Sequence, residues 1–147
     1  MRISTKGRYA VRAMLELALR REQGTVQTRD IARTQGISVK YLERLMSTLR
    51  GAGLVQSQRE THNGFTLARA PKRITILEIV TALEGPLAPV ECLEEKNGCA
   101  RSGQCATRQV WERLQHAIDD TLRGITLADL ARMHAACAPA ADAMYCI

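Results

Sequence analysis

Between Thr28 and Leu67 the order of apolar residues and glycines admits few folds. Over 29–35, Ile31 and Ala32 mark the buried side of a short helix that Thr28 is placed to cap. Gln35-Gly36-Ile37 reads as a tight turn, because glycine enters backbone conformations that other residues resist. Ser38 then caps a second helix in which Leu42, Leu45, Met46 and Leu49 fall at i, i+3, i+4 and i+7. Gly53 sits just past its end, the usual place for a left-handed closing residue. Two short helices about a glycine turn are a helix-turn-helix. The stretches 54–59 and 65–68 read as strands, and Asn63-Gly64 between them predicts a hairpin turn. A hairpin directly after a helix-turn-helix predicts a winged helix.

The flanking segments complete a mainly α architecture. Ala10, Met14, Leu17 and Ala18 keep one face of a helix over 8–21, ended by Gly24. After Pro71, Thr75-Ile76-Leu77-Glu78 is a capping box opening a helix that buries Ile76, Ile79, Val80 and Leu83. Gly85-Pro86 stops it, and a loop over 87–104 carries cysteines. A long helix over 105–123 then aligns Val110, Trp111, Leu114, Ile118 and Leu122 in one stripe. A short helix over 126–135 precedes a weakly patterned tail. The expected organisation is a winged helix-turn-helix domain at 1–73, a linker helix, cysteine loop and long C-terminal dimerisation helix at 74–135, and a tail at 136–147. With 46% hydrophobic residues and 3% aromatics, 147 residues suit one core of packed helices.

Charge divides the chain. Residues 1–73 hold 15 Lys/Arg against 5 Asp/Glu, a net of +10, and residues 74–147 hold 6 against 10, a net of −4, which together make the overall +6. A basic front half joined to an acidic back half is what a nucleic-acid reader with an attached sensing or dimerising region presents. The opening residues contain no apolar signal core and no apolar run approaches a membrane span, so the expected location is the cytoplasm. The chain has no CxxC, no glycine-rich phosphate loop and no paired-carboxylate or Ser/His signature. An enzyme, a membrane partner and a small-molecule substrate are therefore not expected.

An α-helix fits the major groove of a duplex, and the second helix of the turn motif offers it an exposed face. Off the apolar stripe of that helix lie Lys40, Tyr41, Glu43, Arg44, Ser47, Thr48 and Arg50. Arg44 or Lys40 suits guanine edges, Glu43 suits cytosine N4, and Ser38 or Thr48 suits phosphates. Arg59, with His62, is placed to bring the wing into a minor groove. Arg2, Ser4, Lys6, Arg8 and Tyr9 add backbone contacts from the entry of the first helix, and Thr28 from the start of the second.

Cys92, Cys99 and Cys105 stand in a C-x6-C-x5-C pattern. Five cysteines, an odd number in a reducing compartment, argue against a disulfide framework. Wide spacing in a glycine-bearing loop lets three thiolates converge on a multi-iron cofactor, and Cys105 at a helix start is favoured as thiolate. Three thiolates also suit zinc with a fourth ligand from elsewhere, and bare thiols are the remaining alternative. Cys137 and Cys146 in the tail read as accessory thiols, and His116 as a surface residue.

With these parts in place, nearly the whole chain resembles the IscR/NsrR/CymR superfamily of Rrf-type bacterial regulators. The resemblance rests on Met1-Arg2-Ile3-Ser4-Thr5-Lys6-Gly7-Arg8-Tyr9-Ala10 and on Ile37-Ser38-Val39-Lys40-Tyr41-Leu42-Glu43. Leu83-Glu84-Gly85-Pro86-Leu87-Ala88-Pro89-Val90-Glu91-Cys92 and Cys105-Ala106-Thr107-Arg108-Gln109-Val110-Trp111 carry it further. It implies a homodimer in which the long helix crosses between subunits, and an iron–sulfur cluster on Cys92, Cys99 and Cys105, [2Fe-2S] ahead of [4Fe-4S]. It also implies transcriptional control, by repression, of iron, sulfur, cluster or nitric oxide responses. A two-fold dimer implies double-stranded DNA with a near-palindromic operator. Cysteine-poor relatives supply the alternative of a cluster-free regulator controlled by a partner protein or by cysteine oxidation.

The chain departs from the family pattern in three places. The IscR type has a histidine three residues after the last cysteine, where this chain has Arg108. The NsrR type uses an aspartate in the first helix, where this chain has Arg8. The fourth-ligand candidates are then Glu91, Glu94, Glu95, His62, a tail cysteine, a partner residue or an exogenous ligand. The wing, Arg59-Glu60-Thr61-His62-Asn63-Gly64-Phe65, is not glycine-rich like the family's.

Overall fold

The computed structural model describes residues 2–58, 64–94 and 99–137. Among these residues six α-helices and a small sheet follow in the order α1 (Thr5–Leu19), β1 (Val26–Gln27), α2 (Thr28–Gln35), α3 (Val39–Gly51), β2 (Val55–Gln58), β3 (Gly64–Leu67), α4 (Ile76–Glu84), α5 (Ala106–Arg123) and α6 (Leu127–Cys137). The winged helix is present.

Its turns are built as the glycines require. Gly36 adopts φ +65° after α2, with its N–H on the Arg33 carbonyl and the Ile37 N–H on that of Ala32. Gly53 repeats this after α3 at φ +72°, with Leu54 bonded back to Leu49. Both are Schellman closures, and each delivers an apolar residue onto the core just past the helix. Ser38 caps α3 by accepting from the Tyr41 N–H at 3.1 Å.

The structure departs from the expected pattern at three points. The sheet has three strands in the order β1-β3-β2, because Val26 and Gln27 pair with Phe65 and Gly64. Thr28 does not cap α2: Gln27 is the cap and Thr28 the first helical residue, only 1% exposed. Gly64 is not a turn residue, since it pairs with Gln58 on one side and Gln27 on the other. The connection therefore falls on 59–63, outside the described residues, as do Arg59, His62 and Asn63.

One hydrophobic cluster runs from Ala10 to Leu127. Met14, Leu17, Leu42, Met46, Leu49, Ile79 and Leu127 are almost fully buried, and α4 and α6 both pack on α1. The starts of α4 and α6 are stitched together. Ile76 N–H donates to the Ile125 carbonyl at 2.9 Å and Leu127 N–H to that of Ile74 at 2.8 Å, about a Thr75–Thr126 bridge. Thr75 and Glu78 form the predicted capping box on α4. Thr126 and Asp129 form its counterpart beside it, with Asp129 accepting from the Thr126 hydroxyl at 2.6 Å and the Thr126 N–H at 2.8 Å.

Those bonds, with Arg132 adding to them, lower the Asp129 pKa from 3.8 to about 2. A carboxyl whose folded pKa lies below its unfolded value stabilises above the unfolded value and loses that contribution as pH falls through the folded one. The α6 cap is thus expected to hold at pH 5 and to weaken between about 4 and 2. Amide exchange at Thr126–Asp129 across an acid series measures this, and protection unchanged down to pH 2 contradicts it.

Candidate nucleic-acid interface and cysteine segment

Helix α3 has two sides. Leu42, Leu45, Met46 and Leu49 are buried and seat it on the core, while Lys40, Glu43, Arg44, Ser47, Thr48 and Arg50 are exposed. Two of the outward side chains have local bonds. Thr48 donates its hydroxyl proton to the Arg44 carbonyl at 3.2 Å, and Arg50 donates to the Ser57 hydroxyl of β2 at 3.4 Å, tying the helix end to the wing. Tyr41 is half-buried, its ring edge-on to Tyr9 at 6.2 Å, and Arg12 lies 5.4 Å over the Tyr9 ring. The two tyrosines therefore lock α1 against the start of α3.

At the α1 entry, Arg2, Lys6 and Arg8 are exposed, with Arg8 donating to the Thr5 hydroxyl at 3.3 Å. Ser4 is placed differently from a surface phosphate ligand. Its hydroxyl donates to the Glu84 carboxylate at the end of α4, and the Gly7 N–H donates to the same oxygen at 3.1 Å. A contact across eighty residues leaves no mark in local sequence. Thr28, being buried, offers a duplex no side-chain surface.

The cysteine segment leads into the start of α5. Cys92 sits in a short 3-10 turn, Glu91–Leu93, that packs on α5. Arg108 fastens it there by donating to the Cys92 carbonyl at 2.7 Å and to Glu112 at 2.8 Å. Cys105 is the residue before α5, and an open groove of about 640 Å³ runs past it between Arg101, Gln104 and Thr107. The Thr107 hydroxyl, 3.1 Å from Sγ, and then the Arg108 N–H hold the Cys105 thiol below its ordinary pKa. Cys92, Cys99 and Cys105 are partly exposed, and Cys137 is exposed at the end of α6.

Three thiols in one segment have the chemistry that iron requires. Their placement does not close a ligand shell: among the described residues, no three His, Cys, Asp or Glu side chains stand within reach of one metal ion. Glu91 and Glu94 are exposed, and Glu95 and Cys146 fall outside the described residues. His116 is on the surface.

Residues 3–133 match the family model described as "Rrf2: Iron-dependent Transcriptional regulator". The chain belongs to the Rrf2 family. Among Rrf2-family relatives, it is 43% identical over 131 residues to the HTH-type transcriptional regulator CymR of Bacillus subtilis, covering 89% of this chain and 90% of that one. It is 42% identical over 130 residues to the HTH-type transcriptional regulator IscR of Erwinia tasmaniensis, covering 88% and 78%. The solved structure of B. subtilis CymR, described as the global cysteine regulator, superposes with a TM-score of 0.75 at 41% identity, covering 90% of this chain and 98% of that one. This Rrf2-family chain is accordingly a winged-helix transcriptional regulator and not an enzyme. No helix among its described residues is long and apolar enough to cross a membrane.

Proposed function

We propose that this chain is a cytoplasmic homodimeric repressor that binds double-stranded DNA through α3, α1 and the wing, with its affinity set by the segment carrying Cys92, Cys99 and Cys105. The observation that carries the reading is the two-sided α3, seated by four buried residues with Lys40, Glu43 and Arg44 facing outward. Lys40 and Arg44 take guanine edges and Glu43 accepts from cytosine N4. Ser38, Ser47, Thr48 and Arg50, with Arg2, Lys6 and Arg8, contact phosphates. Arg59 and His62, which lie outside the described residues, are further candidates for contact with the duplex. Val110, Trp111 and Leu114 form the exposed α5 stripe on which a second copy packs. The paired heads then meet half-sites about one helical turn apart in a near-palindromic operator.

Two chemistries fit the sensing segment. The three thiols and the family's iron-dependent description support an iron–sulfur cluster on Cys92, Cys99 and Cys105, [2Fe-2S] before [4Fe-4S]. The second reading is thiol or partner control without a cluster. Arg108 favours it, because a guanidinium already bound to the Cys92 carbonyl and Glu112 occupies the place of the IscR-type histidine.

Anaerobic isolation followed by iron, sulfide and absorbance analysis separates them, with operator affinity measured before and after iron removal. A brown, iron-bearing protein whose affinity changes on iron removal establishes the cluster. A colourless, iron-free protein whose affinity responds to thiol oxidation establishes the second reading. Equal affinity in every state removes the sensing role.

A further inference from the structure

The start of α1 is held by a group that does not belong to it. Helix α1 has no acidic residue in its first turn, and the Ser4 hydroxyl makes no capping bond to its own helix. Glu84, the last residue of α4, supplies both needs by accepting from the Ser4 hydroxyl and the Gly7 N–H. A carboxylate at a helix N-terminus is favoured by the unpaired N–H groups and the dipole, and bonds to a charged acceptor are the stronger kind. Gly7 is shaped to this contact: a Cβ on it would stand 2.6 Å from the Glu84 oxygen.

The position of Glu84 along the chain gives the contact its meaning. The next residue, Gly85, bends the backbone at φ +78°, and the chain runs through buried Leu87 to Cys92. On the other side of the contact, α1 carries exposed Lys6 and Arg8 and presses Tyr9 against Tyr41 of α3. One carboxylate therefore joins the root of the cysteine segment to the helix that positions the reading helix.

We propose that Glu84 is a positioning residue, a latch through which the arrangement of the cysteine segment sets the seating of α1 and, through Tyr9 and Tyr41, of α3. The inference rests on the segment being the sensing element. It goes beyond that reading by naming the link within one subunit that carries the signal.

The test perturbs the segment without any cofactor. In full-length chain with Cys137 and Cys146 replaced by serine, the remaining thiols are capped with iodoacetamide, and the ratio of operator Kd between capped and uncapped protein is measured. The parent ratio is expected to differ from one by about five-fold or more, the lower end of ordinary coupling between sites. In Glu84→Ala and in Gly7→Ala the ratio is expected to fall close to one. Gly7→Ala makes the result decisive. It displaces the carboxylate from the opposite side, while alanine's advantage over glycine in a helix offsets part of the lost contact, so its Tm should drop less than that of Glu84→Ala.

A parent that responds, with both variants responding by the same factor, overturns the latch and leaves the sensing reading standing. The latch is equally overturned if Glu84→Ala loses both Tm and ratio while Gly7→Ala keeps the parent ratio, since Glu84 is then structural only. A parent indifferent to capping removes the sensing reading, and the latch with it.

Discussion

Trp111→Asp is expected to convert the dimer to monomers at low micromolar concentration and to weaken operator binding by about a hundred-fold or more. Helix α5 is 18 residues long and buries none of them within one subunit, although one stripe of it is apolar. Its C-terminal half rests Ile118 and Leu122 on the core, while Val110, Trp111 and Leu114 are 57%, 37% and 43% exposed. A contiguous apolar stripe on an amphipathic helix calls for a cover. Tryptophan at the centre of such a patch typically contributes about 2 kcal/mol or more to association. A carboxylate in its place adds the cost of burying an unpaired charge. Loss of pairing separates the two reading heads, and with them the gain in avidity from binding both half-sites at once, about 10²–10⁴-fold. Sedimentation velocity and anisotropy on an operator duplex measure the two effects. A variant that remains dimeric at one micromolar means that another surface joins the copies.

Arg44→Ala is expected to weaken specific binding by about 1–3 kcal/mol, roughly 5- to 150-fold, while leaving non-specific binding close to the parent value. The side chain is exposed on the outward face of α3, between Lys40 and Thr48, and no ion pair holds it among the described residues. Its truncation removes no core contact, so the expected change in Tm is small. Competition with shuffled duplex distinguishes the outcomes. A uniform loss across all sequences would make Arg44 a phosphate contact, with the salt slope reduced by about one.

The local parts of this fold were legible because their causes are local. Ser38, the Thr75–Glu78 box, Gly36 and Gly53 each act within a few residues, and the structure has them as the spacing implies. The Thr126–Asp129 box obeys the same rule and was readable from Thr-x-x-Asp, although periodicity alone marked that helix. Strand β1 was not legible: two residues show no alternation, and its partner lies nearly forty positions on. Thr28 misled because Thr before a helix is usually a cap, whereas here strand pairing pulls Gln27 into that role and buries Thr28. For the site, the outward face of α3 followed from its apolar stripe except at Tyr41, which is half-buried against Tyr9. The binding of Ser4 and Gly7 to Glu84, and of Arg108 to the Cys92 carbonyl, depends on how distant helices dock, which no local pattern records.

The paired starts of α4 and α6 have one more consequence. The chain enters α4 just after Ile74 and α6 at Leu127, and these two points are sewn side by side by backbone bonds. Between them α4 stays in the core through Ile79 and Val80, and the stretch from Leu87 to Leu114 stands out from it as a handle whose two ends return to one socket. Lengthening, shortening or regrafting its outer end leaves the socket's spacing untouched, so descent can refashion what the handle detects without redesigning the part that grips.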